Sequence, residues 1–224
     1  MSLLQVDLRA EYKHEMQARF NSESWSISEL YWSQIRDYDT GKVKKCTVSV
    51  SDKWNDDKMF HYTSWQDSKG INMPFDFEEY LKANKRGRKQ MLLDVVHAGM
   101  LKIAEKEGWS VDPLLDAYNK CQENDLEYRS FVRKPKNSPD RRHKMNFWFN
   151  WDIDVFEVYW VLYDKRGDEI KRKKLMEKLP HEGEFIYYID FRWIDNSTVL
   201  LEDKYKYGKK EKWIVEIESE ASIE

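Results

Sequence analysis

The chain has 224 residues, 41% hydrophobic and 35% charged, with a formal net charge of −3. Its 10 Trp, 13 Tyr and 10 Phe exclude the aromatic-poor composition of a disordered chain despite a mean hydropathy of −0.86, and its length suits one large domain or two small ones. Near-balanced charge gives no bulk attraction to nucleic acid or to an anionic membrane, and no apolar run approaches the length of a spanning helix.

Two further features bear on compartment. Cys46 and Cys121 lie far apart and match no metal-ligand spacing. The start, MSLLQVDLRAEY, has no uninterrupted apolar core of the signal-peptide kind. A reduced, cytoplasmic protein is expected.

In chain order, Leu4, Leu8, Tyr12, Met16 and Phe20 recur every four residues, whereas Leu4, Val6, Leu8, Ala10 and Tyr12 alternate as a strand would. The helix formers among residues 9–20 favour a helix there. Two hairpins should follow, ELYWSQIRDYDTGKVKKCTVSVS around DYDTGK and KMFHYTSWQDSKGINMPF around DSKG, both antiparallel because their connections are short.

The middle reads as helical. Asp76 with Glu79 is a capping-box pattern ahead of Phe77 and Tyr80. Leu92, Val95, Gly99, Met100 and Ile103 share one helical face, and Gly108 suits a left-handed cap after the last turn. Asp112 followed by Pro113 starts a third helix, with Leu114, Leu115, Tyr118 and Cys121 as its buried stripe.

Residues 133–142, RKPKNSPDRR, make the best break, a loop or linker dividing 1–132 from a β-rich 143–218. The whole is expected to be one compact domain or two closely packed lobes. Beyond the break, MNFWFNWDIDVFEVYW places Met145, Phe147, Phe149, Trp151 and Ile153 on one parity and Phe156, Val158, Trp160 and Leu162 on the other. A one-residue slip flips every side chain, so a bulge or tight turn is needed near 152–154. Trp148 then falls with Asn146 and Asn150 on the polar side. EFIYYIDFRWI, STVLLEDKYKY and KWIVEI continue as alternating strands of a meander with one buried and one wet face. The fold class expected is α+β, with antiparallel hairpins, a central helical segment and a C-terminal antiparallel meander.

Motifs of chemistry are scarce. The five histidines show no metal-binding pair, and the eight scattered glycines form no phosphate cradle. Asp190, Glu202 and Lys204 could share one strand face and hold a divalent ion as a metal-dependent hydrolase would. The same acid-x-Lys spacing recurs at Asp56, Asp67 and Glu169, as a chain this charged produces by chance, so a cross-strand ion-pair network is the simpler expectation. No metal or other cofactor is expected, and catalysis is not favoured.

Tryptophan, tyrosine and arginine dominate interface hot spots, and their abundance favours a non-catalytic module that binds another protein. An immunity or inhibitor protein of bacteria is an analogue by composition. The contact residues expected are Trp148, Tyr188, Arg192, Arg141 and Arg142. Two alternatives are the hydrolase at Asp190, Glu202 and Lys204, and a nucleic-acid binder using the basic segments 85–89, 133–144 and 165–174.

Overall fold

The structure, a computed structural model, describes residues 3–204 and 210–217. The α+β class holds, with both helices and antiparallel sheets. The described residues fall into two compact units, those of Met1–Tyr128 with Asp152–Asp154 and those of Arg129–Trp151 with Val155–Glu224.

The first unit is built on a four-stranded sheet. Its strands are β1 (Gln5–Ala10), β2 (Lys45–Ser51), β3 (Tyr62–Trp65) and β4 (Ser68–Pro74), in the order β1-β2-β4-β3. Here the first helix and first hairpin differ from expectation. The alternation of Val6, Leu8 and Ala10 wins, because those three side chains are buried against the helices. Helix α1 (Gln17–Gln34) absorbs ELYWSQ, which reads locally as strand, and carries the chain over so that β1 and β2 pair in parallel. β2 and β4 are parallel as well, and only β3–β4 forms the expected antiparallel hairpin.

Local propensity in α1 is poor, and packing overrides it. Phe20, Ile27, Leu30 and Tyr31 are buried, and small serines let the helix approach the sheet. One of them, Ser24, donates its hydroxyl to the Leu8 carbonyl of β1 at 2.7 Å.

The helical middle follows the sequence signals. Helix α2 (Phe77–Lys82) is capped by Asp76, whose side chain accepts from the Glu79 N–H, and α3 (Lys85–Glu107) ends at Gly108 with φ +69°. Gly99 of α3 lies where an added Cβ would come within 2.5 Å of Val48, so a side chain here would push the helix off β2. Helix α4 (Asp112–Glu123) has its proline in the first turn and buries Leu114, Ala117 and Cys121. Leu115, assigned to that stripe from sequence, is exposed instead. Cys46 and Cys121 are buried free thiols, each pushed up to about 12 by burial.

His97 of α3 is half-buried. It accepts or donates one hydrogen bond with the buried Tyr31 hydroxyl at 3.0 Å, and its ring lies 4.6 Å from that of Tyr118. Burial lowers its pKa, against the attraction of Asp94. The unfolded chain therefore takes up this proton more readily than the folded one. Stability from neutral His97 is complete above the unfolded value of about 6.5 and is lost as pH falls through the lower folded value. The urea midpoint should decline as pH falls below about 6.5, and His97→Gln should flatten that part of the profile. Equal slopes for variant and parent would assign the decline to other groups.

The second unit is all but entirely β. One sheet holds β5 (Tyr128–Phe131), β6 (Lys136–Asn137), β7 (His143–Trp151), β8 (Phe156–Asp164) and β9 (Glu169–Lys178), with β6 alongside β7. The other is the antiparallel meander β10 (Ile189–Trp193), β11 (Thr198–Asp203) and β12 (Lys212–Glu216). The parity slip in the sequence is the β7–β8 turn. Register pairs Phe147 with Trp160, Phe149 with Val158 and Trp151 with Phe156, all buried on one face. Phe147 meets Phe191 of the meander edge-on at 4.9 Å, which locates the core between the two sheets. EFIYY is not strand: a single helical turn, α5 (Phe185–Tyr188), precedes β10. Tyr205 and Tyr207, placed on a strand from sequence, lie outside the described residues.

Among the described residues no helix is long and apolar enough to cross a membrane.

Candidate functional site

Each contact residue expected from sequence has a definite setting in the second unit. Trp148 is half-buried on β7. Its ring meets Tyr159 of β8 at 5.4 Å, and the Arg172 guanidinium of β9 lies 4.9 Å over it. Asn150 beside it accepts from Arg129 and donates to Glu157. Asn146 departs from expectation. Only 2% exposed, it is covered rather than wet, and its side-chain oxygen accepts from the Phe147 N–H.

Tyr188 ends α5 and is exposed, as is Arg192 on β10, whose Nε lies 4.0 Å from Glu202. Arg141 and Arg142 are exposed in the β6–β7 turn, where Arg141 has φ +58° and Arg142 Nε is 3.7 Å from Asp140. That turn is tied to the β10–β11 turn by the Asp140 N–H, which donates to Asn196. The arginines therefore gather towards the meander, while Trp148 is engaged with β8 and β9.

Asp190 and Glu202 face each other directly across β10 and β11. Their carboxylates nonetheless serve different cations. Asp190 accepts from Lys136 at 2.8 Å and from the Phe191 N–H, and Lys136 first among these holds its pKa below the usual range. Glu202 is lowered by Lys204 and Lys212, at 2.8 and 3.2 Å. This is a cross-strand ion-pair network in solvent, and such pairs contribute little. Asp190→Ala and Glu202→Ala should each leave the urea midpoint where an ordinary surface substitution would. Saturable divalent binding in calorimetry, lost in both variants, would instead favour a metal site. Among the described residues no group of three or more His, Cys, Asp or Glu is placed to hold a metal ion.

The first unit carries a site that sequence reasoning missed. Parallel pairing puts Arg9 beside Ser49 and Ser49 beside Asn72, so three strands present a polar row on the sheet face away from Leu8, Val48 and Ile71. This row lines a cleft of about 610 Å³, together with Glu11, Tyr12, Trp54, Lys58 and His61. It lies at the carboxyl ends of parallel strands, where open sheets commonly bind ligands because the chain leaves the sheet there in loops.

The loop from 52 to 61 is strapped in place by β4. Phe60 N–H donates to the Asn72 carbonyl, Asn72 N–H to the His61 carbonyl, and the Asn72 side chain to the Lys58 carbonyl. Those bonds bring Lys58 within 3.7 Å of Glu11. A hydrogen bond from Trp54 holds Glu11 below the usual carboxylate range, helped by Ser51 and Lys58 and opposed by burial.

No protein-family model, curated protein or solved structure matches the chain.

Two features distinguish the cleft from its surroundings. Tyr12 is 78% exposed at its mouth, and the Lys13 ammonium lies 5.4 Å from its ring centroid. The Arg9 guanidinium forms no hydrogen bond or ion pair among the described residues. Next to the cleft, His14 is fully used: its Nδ1 accepts from the Met16 N–H, its Nε2 lies 2.9 Å from Asp52, and its ring stacks on Phe77. The alternation of residues 4–10 was the sequence signal for Arg9, but the row itself exists only once three distant strands pair.

Proposed function

We propose that this chain is a non-catalytic protein-binding module, with the cleft face of the first unit as its recognition surface. The observation that carries the reading is the open Arg9–Tyr12 side of the cleft. Arginine and tyrosine are hot-spot residues, and here the guanidinium has no partner among the described residues while the ring stands largely in solvent. Trp54, half-buried in the lining, supplies an aromatic wall. A reducing, cytoplasmic setting accords with two buried free thiols.

The test is quantitative capture from cells of the source organism, with the purified chain, its Arg9→Ala/Tyr12→Ala variant and its Arg141→Ala/Arg192→Ala variant as baits. A protein bound by the parent and lost with the first variant is the expected result. Enrichment indifferent to the cleft residues but lost with the second variant would move the interface to the second unit. Absence of any enriched protein would reject the reading.

A second reading, nucleic-acid binding, is favoured by β9, an exposed edge strand carrying Lys171, Arg172, Lys173 and Lys174 in succession. Salt-dependent anisotropy with a single-stranded oligonucleotide decides it, because phosphate contacts weaken steeply as salt rises.

A further inference from the structure

We infer that the cleft at the carboxyl ends of β1, β2 and β4 binds a single carboxylate, held by the guanidinium of Arg9 with Ser49 and Asn72 beside it. The inference deepens the protein-binding reading, on which it rests for the source of that group, an Asp or Glu side chain of the partner.

Charge is the first argument. The lining carries Arg9 and Lys58 against Glu11 and Asp57, so it is balanced as a whole. The cations are not equivalent, however. Lys58 lies 3.7 Å from Glu11, whereas Arg9 forms no ion pair among the described residues. Asp57, on the loop from 52 to 61, forms no ion pair among the described residues either, so the preference for an anion rests on the place of Arg9 in the strand row and not on the charge sum. A phosphate dianion would meet the two lining carboxylates with twice the charge of a carboxylate and be repelled more strongly.

Geometry is the second. A guanidinium offers a planar fork of N–H donors that fits a carboxylate through two parallel bonds. Ser49 pairs with Arg9 across β1 and β2, and Asn72 with Ser49 across β2 and β4, so the Ser49 hydroxyl stands beside Arg9 in the row, while the Asn72 amide gives one N–H to the Lys58 carbonyl and keeps the other. Glu11 does not compete for Arg9, since Trp54, Ser51 and Lys58 engage it. Tyr12 and Trp54 provide apolar walls for the methylene stem that carries the acid.

The experiment is an NMR titration that follows the Trp54 indole N–H and the Arg9 Nε–H signals. The probes are a blocked Ala-Glu-Ala peptide, its Ala-Gln-Ala counterpart, sodium acetate and inorganic phosphate. Saturable shifts with the Glu peptide, absent with the Gln peptide, are expected. Arg9→Gln should weaken binding by about ten-fold or more, as loss of a charge-assisted pair does; Arg192→Gln should not change it. Tighter binding of the Glu peptide than of acetate supports a protein side chain as the source, and tighter acetate binding overturns that source. Phosphate binding more tightly than either overturns the single-charge argument. Glu-peptide binding unaffected by Arg9→Gln overturns the site. Partner capture that depends on Tyr12 without carboxylate binding would sink this inference and leave the proposed function standing. Carboxylate binding without any captured protein would do the reverse.

Discussion

Trp151→Ala should lower the stability of the second unit by about 3–5 kcal/mol, the range for truncating a large aromatic in a core. Trp151 is 1% exposed. Its ring meets Phe156 edge-on at 5.5 Å, and its indole N–H donates to the Pro180 carbonyl at 2.8 Å. Gly183 lies so close beneath the ring that an added Cβ would fall 2.1 Å from the indole, so the pocket is fitted to this side chain. The substitution removes apolar burial, opens a cavity and strands a carbonyl together. Trp148→Ala, three residues earlier, should cost much less. That ring is half-buried and loses an edge contact with Tyr159 and a cation–π contact with Arg172, interactions of about 0.5–1.5 kcal/mol each at partly exposed sites. Urea denaturation of the two variants measures the difference. Equal losses would mean that Trp148 is as much a core residue as Trp151.

Glu23→Ala should be the most damaging polar substitution in the first unit, at about 3 kcal/mol. The side chain, on α1, is 8% exposed and accepts three hydrogen bonds: from Arg19 Nε at 2.6 Å, Arg88 Nη1 at 2.8 Å and the Tyr80 hydroxyl at 2.5 Å. Tyr80 is fully buried between Phe20 and Phe75. Burial first, and then the bond to Glu23, raises its pKa far above the usual phenol value, so it remains a proton donor. Alanine at 23 leaves that hydroxyl without its acceptor and takes from Arg88 a carboxylate, and an unsatisfied buried group costs more than a made hydrogen bond returns. Glu23→Gln keeps an acceptor for Tyr80 and should lose less. Replacing Glu23, Tyr80 and Arg88 together by Leu, Phe and Met should recover part of the loss, because no buried polar group is then stranded. Thermal melts of the three variants test the ordering. An alanine variant within experimental error of the parent would show the cluster to be solvated.

Local signals located the middle of the chain and much of its end. Asp76, Gly108 and Pro113 fixed helix ends because a cap or a left-handed residue is a local requirement, met whatever surrounds it. The slip of parity after Ile153 located the β7–β8 turn, and the register of Asp190 opposite Glu202 followed from the short loop between their strands.

Elsewhere the local evidence was balanced, and tertiary packing chose. Residues 4–20 supported both periods, and ELYWSQ favoured strand by composition. α1 formed because Phe20, Ile27, Leu30 and Tyr31 could be buried against a sheet that did not yet exist in the local sequence. Parallel pairing of β1 with β2 followed from that helix, and with it the row of Arg9, Ser49 and Asn72. The sequence by itself determined the caps, turns and alternation that depend on neighbours along the chain. The cleft was decided only in three dimensions, since its residues come from strands tens of residues apart that α1, and then the 52–61 loop with β3, must first set side by side.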